Sequence, residues 1–317
     1  MYNQGSCCTF TRGITMNADV INQVVVLFLM MLVGVYATKR GFINKTVEKG
    51  LSDLLLNITL PFLIISTFNL DFDPNLLDNA KKIMVYSIGI HLALYGISKV
   101  FFIKIDRDKQ PVLRFITTFS NVGFMGYPVL QSVFGNVGVF YGAIFNMVFN
   151  AFVWTLGVSL YSGKKSLKAF LQVLKNPAFL AVCFGLVLFI SPLKLPVPIY
   201  KTIKLIGDTT TQISMIIVGA MLTNGNIKEI LSDWTIYLGS FICLIVAPII
   251  VYFGMNILGL DSELTKVCVT VIAMPGAVMA PIIASKYGGN ALYASQCVFL
   301  STILSVVTIP LIILTLL

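Results

Sequence analysis

The sequence predicts an all-α polytopic membrane protein, with ten transmembrane helices arranged as two inverted five-helix repeats. Three observations predict it. The 317 residues are 57% hydrophobic and only 11% charged, with a mean hydropathy of +0.91, whereas a soluble globular chain carries roughly 25% charge. The charges fall in short patches between apolar runs of about 20 residues, the length that spans a bilayer as a helix. Polar residues and helix breakers in the first half have counterparts in the second. A membrane β-barrel would need segments of about ten alternating residues, and these runs are longer and more uniformly apolar.

The first half holds five expected spans. Span 1 covers about 19–38 and ends at Lys39-Arg40-Gly41; span 2 covers about 47–69 and carries Asp53, Asn57 and Pro61. An acidic loop with Asp71, Asp73 and Asp78 leads to span 3, about 81–103, which contains the single histidine, His91. The loop from Lys104 to Gln110 precedes span 4, about 111–133, and Gly135-Asn136 turns the chain into span 5, about 137–160. The polar extension 1–18 lacks the apolar core of a secretory signal.

A basic linker, 161–173, divides the chain. Span 6 covers about 174–191, and a proline-rich turn leads to span 7, about 200–223, with Asp208, Gln212 and Ser214. Span 8 covers about 234–257 and contains Pro248; Asp261 opens span 9, about 263–285; Gly289-Asn290 turns into span 10, about 290–315. Asp53/Asn57 match Asp208/Gln212, both spaced i, i+4 and so on one helix face. Pro128 matches Pro281, and Gly135-Asn136 matches Gly289-Asn290. An odd number of spans per half makes the second repeat enter from the opposite side, related to the first by an axis in the membrane plane. Lys and Arg mark cytoplasmic loops. Most of the 22 fall on one side when both termini face out.

Two stretches interrupt their spans: Thr117-Thr-Phe-Ser-Asn-Val-Gly-Phe-Met-Gly-Tyr-Pro128 and Ala273-Met-Pro-Gly-Ala-Val-Met-Ala-Pro281. Loose backbone survives at membrane depth only where protein or cavity water satisfies it. Paired interruptions are the best pointer in a sequence to a solute-binding site. Each leaves unpaired N–H groups at the start of a helix, an anion site. The expected binding residues are Asn121, Val122 and Gly123 in the first break and Pro275, Gly276 and Ala277 in the second. Asn146, paired with Asn150 at i, i+4, and Gln296 are candidates for the cavity wall, though hydrogen bonding between helices is the commoner reading of such residues. An isolated break is as often a plain proline kink; the pair favours a site.

Three residues could couple transport to an ion or gate it. Asp53 and Asp208 are the acids well inside apolar runs, where a carboxylate is costly; the competing readings are structural hydrogen bonding and a position near a span end. His91 has a side chain that titrates near neutral pH, though a hydrogen-bonded histidine between helices is the commoner case. Lys286 reads most simply as a cytoplasmic anchor. The six cysteines show no ligand spacing, and with one histidine no metal site or cofactor is expected. The formal charge of +9 sits in loops beside spans, so the bilayer, not nucleic acid, is the expected partner.

The break segments resemble those of the auxin efflux carrier family, which includes the plant PIN-formed exporters and bacterial relatives often named malate or malonate permeases. Ser120-Asn-Val-Gly-Phe-Met-Gly-Tyr-Pro-Val129 is similar to that family's fourth-span crossover. Met274-Pro-Gly-Ala-Val-Met-Ala-Pro281, followed by Lys286-Tyr287, is similar to the ninth. Ser120 stands where plant members have a proline, and the central loop is short, so the chain looks like a compact bacterial member. The resemblance implies a fold like that of bile-acid symporters and sodium–proton antiporters. A scaffold of spans 1, 2, 6 and 7, with a possible homodimer contact, would face a transport domain of spans 3–5 and 8–10 that moves as an elevator. It implies an organic anion (a dicarboxylate such as malate, or an auxin-like acid) held by Asn121 in the plasma membrane of a bacterium. A sodium-coupled symporter, and then a channel or sensor, are the alternatives, with H+ or Na+ coupling open. Neither an ATP-binding loop nor a cluster of nucleophile, base and metal ligands is present, so no enzyme is expected.

Overall fold

The computed structural model describes residue 22 and residues 25–69, 73–162, 173–191, 195–223 and 233–316. The 1–18 extension, nearly all of the 161–173 linker, and Asp71, Lys194 and Lys228 lie outside the described residues. The described chain is helical throughout, and its one β-bridge joins Ser120 to Gly276.

Helix α1 is Val25–Lys39 and α2 is Lys45–Thr67. Then follow α3, Pro74–Phe101, and α4, Gln110–Thr118. Helix α5, Val122–Ser162, leaves helical geometry once, at Gly135 (φ 63°, ψ −153°). The second part comprises α6, Pro177–Ile190; α7, Val197–Met221; α8, Trp234–Ile257; α9, Ser262–Ile272; α10, Met279–Tyr287; and α11, Ala291–Leu316. Asparagine or aspartate caps begin many of them. Asn44, Asp73, Asn176, Asp233 and Asp261 each accept from backbone N–H groups of the first turn, which would otherwise be orphaned.

Prolines shape the long helices without ending them. Pro61, Pro128 and Pro248 each follow a widened π turn, at Leu55–Thr59, Val122–Gly126 and Ile242–Val246 respectively. A proline cannot donate to the carbonyl four residues back and collides with it; the wider turn relieves the clash. For Pro128 the stranded carbonyl is that of Phe124, and the Ser214 hydroxyl of α7 donates to it.

Helices α1, α2, α6 and α7 pack closely. A β-carbon on Gly34 would overlap the Ile216 carbonyl, and one on Gly219 would overlap the Met31 carbonyl, so α1 and α7 touch backbone to backbone. Gly207 meets the backbone of Leu63 on α2 in the same way. Small residues permit such approach where lipid offers no hydrophobic drive. The larger core lies among α3, α4, α5, α8, α9 and α11 and is rich in phenylalanine, with Phe115, Phe119, Phe140 and Phe145 wholly buried.

The expected ten spans in two inverted five-helix repeats do not hold. Among the described residues five helices are long and apolar enough to cross a membrane: α2, α3, α5, α8 and α11. Three precede the linker and two follow it, so they do not divide into equal halves. The rest fail on length or charge. Helix α1 is described only from Val25, α6 is short, and expected span 9 is divided into α9 and α10, of 11 and 9 residues. Near 1.5 Å per residue, α6, α9 and α10 each fall short of the roughly 30 Å of the hydrocarbon layer. Expected span 4 is divided as well: α4 stops at Thr118, and the remainder joins α5 together with expected span 5, the Gly135 turn lying inside that element. Helix α7 is long enough, but it carries Lys201, Lys204 and Asp208.

Candidate binding site at the paired breaks

The two interruptions, over 150 residues apart in sequence, meet in the interior. After α4 the chain becomes extended at Phe119 (φ −122°, ψ 100°). The Asn121 N–H donates to the Pro275 carbonyl at 2.7 Å, and the Ala277 N–H donates to the Phe119 carbonyl at 3.0 Å. This two-bond antiparallel bridge satisfies groups that would otherwise be stranded. The Gly276 N–H donates to the Ser301 hydroxyl of α11 at 3.2 Å. Gly276 lies so close to Ile116 that a β-carbon there would come within 3.0 Å of its side chain. Behind the bridge, the buried Cys243 thiol donates to the Ile116 carbonyl at 3.2 Å.

Asn121 is 3% exposed. Its side-chain oxygen accepts from the Phe124 N–H at 3.1 Å and so caps the turn that opens α5. Its amide nitrogen is buried and has no hydrogen-bond partner. A buried donor left unpaired costs about 1–3 kcal/mol. Helices α5 and α10 both begin just beyond the bridge, so the positive ends of two helices start beside this donor.

Two cavities meet at Asn121. The first, of about 370 Å³, lies between the C-terminal end of α7 and helices α10 and α11; its walls include Val218, Met221, Pro281, Phe299 and Gln296. The second, of about 220 Å³, is bordered by Val122, Gly123, Ala277 and the amides of Asn57, Asn146 and Asn150. An ordered polar chain runs along its wall: Asn176 donates to the Asn150 side chain at 2.9 Å, Asn150 to the Asn146 carbonyl at 2.8 Å, and Asn146 to the Tyr127 hydroxyl at 3.0 Å.

The structure thus brings together Asn121, Val122, Gly123, Ala277 and Asn146 on one cavity, with Gln296 on the other and Pro275 and Gly276 in the bridge between the breaks. Asp53, Asp208 and His91 line neither cavity. Asp53 is exposed on α2. Asp208 pairs with Lys204 one turn earlier, at 2.8 Å, and both side chains are about 40% exposed. His91 is wholly buried. Its Nδ1 donates to the Ser87 carbonyl at 2.7 Å, and its ring stacks on Phe152 with Phe119, Phe145 and Phe149 close by.

Three participants were not legible in the sequence. Ser301 is one of many hydroxyl residues in apolar helices. Asn176 reads only as a helix cap. Glu48 reads as an ordinary acid in the first turn of α2, yet it is the one ionisable side chain that lines either cavity among the described residues. A separate cluster ties the ends of three elements. Asp233 accepts from Lys109 at 2.8 Å and from the Thr235 hydroxyl at 2.6 Å, and Thr235 meets the Tyr293 hydroxyl at 2.6 Å. Partial burial opposes the charge of Asp233. The bonds from Lys109 and Thr235 outweigh it and hold the carboxyl below its ordinary pKa, while the same bond raises that of Lys109.

The fold and site define a multi-pass, all-helical membrane protein with an interior solute-sized cavity at two interrupted helices. A family model described as "Membrane transport protein" matches residues 19–171 and 164–313, and the chain belongs to that family. It is a transporter and not an enzyme. It is 22% identical to an uncharacterized transporter of Methanocaldococcus jannaschii over 298 residues, covering 91% of this chain and 96% of the relative. It is 24% identical to the uncharacterized transporter YfdV of Escherichia coli over 306 residues, covering 92% and 96%. A further uncharacterized transporter, of Methanothermobacter thermautotrophicus, is 26% identical over 210 residues, covering 65% of this chain and 68% of its own.

Proposed function

We propose that this transporter is a secondary carrier of small organic anions, and that the substrate carboxylate rests at the paired breaks on Asn121. The observation that carries the reading is the buried Asn121 amide nitrogen, which has no partner and lies where both cavities meet. A carboxylate oxygen supplies the missing acceptor, and the N-terminal ends of α5 and α10 add favourable dipoles. Val122, Gly123, Ala277 and Asn146 border the bound group, and Gly276 and Pro275 hold the break open. Among the described residues no lysine or arginine lines either cavity, and on this reading main-chain and amide donors carry the recognition. The break motifs, similar to those of the auxin efflux carriers, support the same class of substrate.

Transport then follows from relative movement. Residues 25–69 and 177–223 form the scaffold, and a homodimer would contact through it. Residues 73–162 and 233–316 carry the breaks and shift against the scaffold in elevator fashion, opening the site alternately to each side. The protein works in the bacterial inner membrane. Export of a monoanion gains about 2.3 kcal/mol from a potential of 100 mV; uptake requires a coupled cation, H+ or Na+, for which Asp53, Asp208 and His91 are the candidates from the sequence.

The test is carboxylate binding to the purified protein, followed by flux in proteoliposomes. Asn121→Ala is expected to weaken binding roughly 10- to 100-fold, about 1.4–2.7 kcal/mol, with a melting temperature near that of wild type, because loss of the Phe124 N–H cap offsets removal of the unpaired donor. Unchanged affinity in this variant would remove Asn121 from the site.

A further inference from the structure

We infer that Ser120 is a second recognition donor for the substrate carboxylate: its hydroxyl takes one carboxylate oxygen while the Asn121 amide takes the other, so the charged end of the substrate lies in the smaller cavity. The inference rests on the carboxylate reading of Asn121 and supplies a partner for the second oxygen. The polar side chains on the wall of this cavity are of two kinds. Four asparagines have their amide nitrogens committed within the protein. Asn57 donates to the Asp53 carbonyl at 2.8 Å, and Asn176, Asn150 and Asn146 form the chain that ends on the Tyr127 hydroxyl. Ser120 and Asn121 differ. Both line the cavity and are 4% and 3% exposed, and neither the Ser120 hydroxyl nor the Asn121 amide nitrogen has a hydrogen-bond partner among the described residues.

The local fold explains why Ser120 is left unpaired. A hydroxyl in a membrane helix ordinarily donates to the carbonyl three or four residues back. Thr118, in the last turn of α4, does so to the Arg114 carbonyl at 2.7 Å. Ser120 stands beyond the end of α4, after the extended Phe119, so it has left that register. The carbonyl four residues back, that of Ile116, accepts instead from the Cys243 thiol. Across the bridge Ser120 faces Gly276, which brings no side chain to cover the hydroxyl. A β-carbon on Gly123, on the same cavity wall, would meet no atom within 4 Å, so there is open space beside the pair. Two unpaired polar groups in consecutive buried residues are costly. A carboxylate accepts on both oxygens, so one ligand group satisfies both, and hydrogen bonds to an ionised group are the stronger kind. The plant carriers that this break resembles have proline here, which offers no hydroxyl.

Butyrate, hexanoate and malate are titrated against the full-length protein, and the acid that binds wild type most tightly is carried into Ser120→Ala, Ser120→Thr, Asn121→Ala and the double variant Ser120→Ala/Asn121→Ala. Ser120→Ala is expected to weaken binding about tenfold, with a melting temperature equal to or above that of wild type, since it removes a buried hydroxyl that bonds to nothing. Ser120→Thr keeps the hydroxyl and should bind within about threefold of wild type. The double variant should lose less than the product of the two single losses, because both donors hold one group. Wild-type affinity in Ser120→Ala, with Asn121→Ala weakened, overturns the inference and leaves the carboxylate reading standing. A lowered melting temperature in Ser120→Ala, with Ser120→Thr binding as weakly, assigns the hydroxyl to structure and overturns it as well. Failure of the carboxylate reading looks different: none of the three acids binds wild type, or Asn121→Ala binds as wild type does, and the role of Ser120 then falls with it.

Discussion

Asn121 uses one of its functional groups in architecture, and the proposed function gives recognition to the other. The oxygen is spent on the Phe124 N–H, which orients the side chain, and the nitrogen is left as a fixed, buried donor. A donor held in place before the ligand arrives loses little freedom on binding. The Lys109–Asp233 pair shows the opposite arrangement, two charges that complete each other at the edge of the fold. Its pH behaviour follows from the two shifts. Asp233 is depressed, so its contribution is present above the ordinary carboxylate range and is lost as pH falls through the lowered value. Lys109 is raised, so its contribution is present below the ordinary lysine range and is lost as pH rises through the higher value. The bond therefore operates between about pH 4 and pH 10. Asp233→Asn is expected to remove the acid-side fall in melting temperature that this carboxylate contributes, at a cost of about 1 kcal/mol at neutral pH. Melting curves from pH 3 to 8 on both proteins measure it; parallel curves would exclude a role for the pair.

At the scale of elements, the prolines and glycines determine where helices bend and where they touch. The Ser214 hydroxyl answers the Phe124 carbonyl that Pro128 cannot reach, joining α7 to the start of α5. Ser214→Ala should leave that carbonyl unsatisfied and destabilise the protein by about 1–3 kcal/mol, seen as a lower melting temperature in detergent; an unchanged value would show that another donor serves Phe124. Gly219 faces the Met31 backbone, and even one methyl group has no room. Gly219→Ala is expected to cost about 1–3 kcal/mol by forcing α1 and α7 apart. Gly89 on α3 has open space around its α-carbon, so Gly89→Ala should be neutral or stabilise by up to about 1 kcal/mol through helix propensity. The contrast between the two variants separates packing from propensity.

At the scale of the molecule, the proposed carrier mechanism requires the parts on either side of the cavities to move. The Asn176–Asn150 bond crosses from the cap of α6 to α5 on the wall of the smaller cavity. A disulfide between cysteines at these two positions should stop flux and leave substrate binding within a few-fold of wild type, with flux restored by dithiothreitol. The native Cys243, Cys268 and Cys297 are buried and should not interfere, and Cys7, Cys8 and Cys183 are replaced by serine in the background protein. Full flux in the cross-linked protein would exclude movement between α5 and α6.

The membrane character and both breaks were legible before any coordinates, because apolar run length and the placement of Pro, Gly and Asn are local properties of the chain. The place of Asn121, Val122, Gly123 and Ala277 in the breaks was legible for that reason; that they line a cavity comes from the structure. The span count was not. Counting apolar stretches could not tell a continuous helix from one that stops at Thr118 or Ile272, since the stop depends on a partner strand over 150 residues away. Position in an apolar run does not tell which acid lines a cavity. Asp208 meets its own Lys204 on the surface, whereas Glu48, in a charged and unremarkable turn, lines the larger cavity.

By itself the sequence determined that this chain lives in a bilayer, that its backbone is interrupted twice, and that a neutral amide stands at the first interruption. Tertiary structure alone decided that the two interruptions pair with each other, which helices are whole, and which side chains line the cavities. The physical reason is that solvation and backbone preference are set residue by residue. The rotation of each helix about its axis, which chooses lipid, core or cavity for every side chain, is set by contacts between segments far apart in the chain.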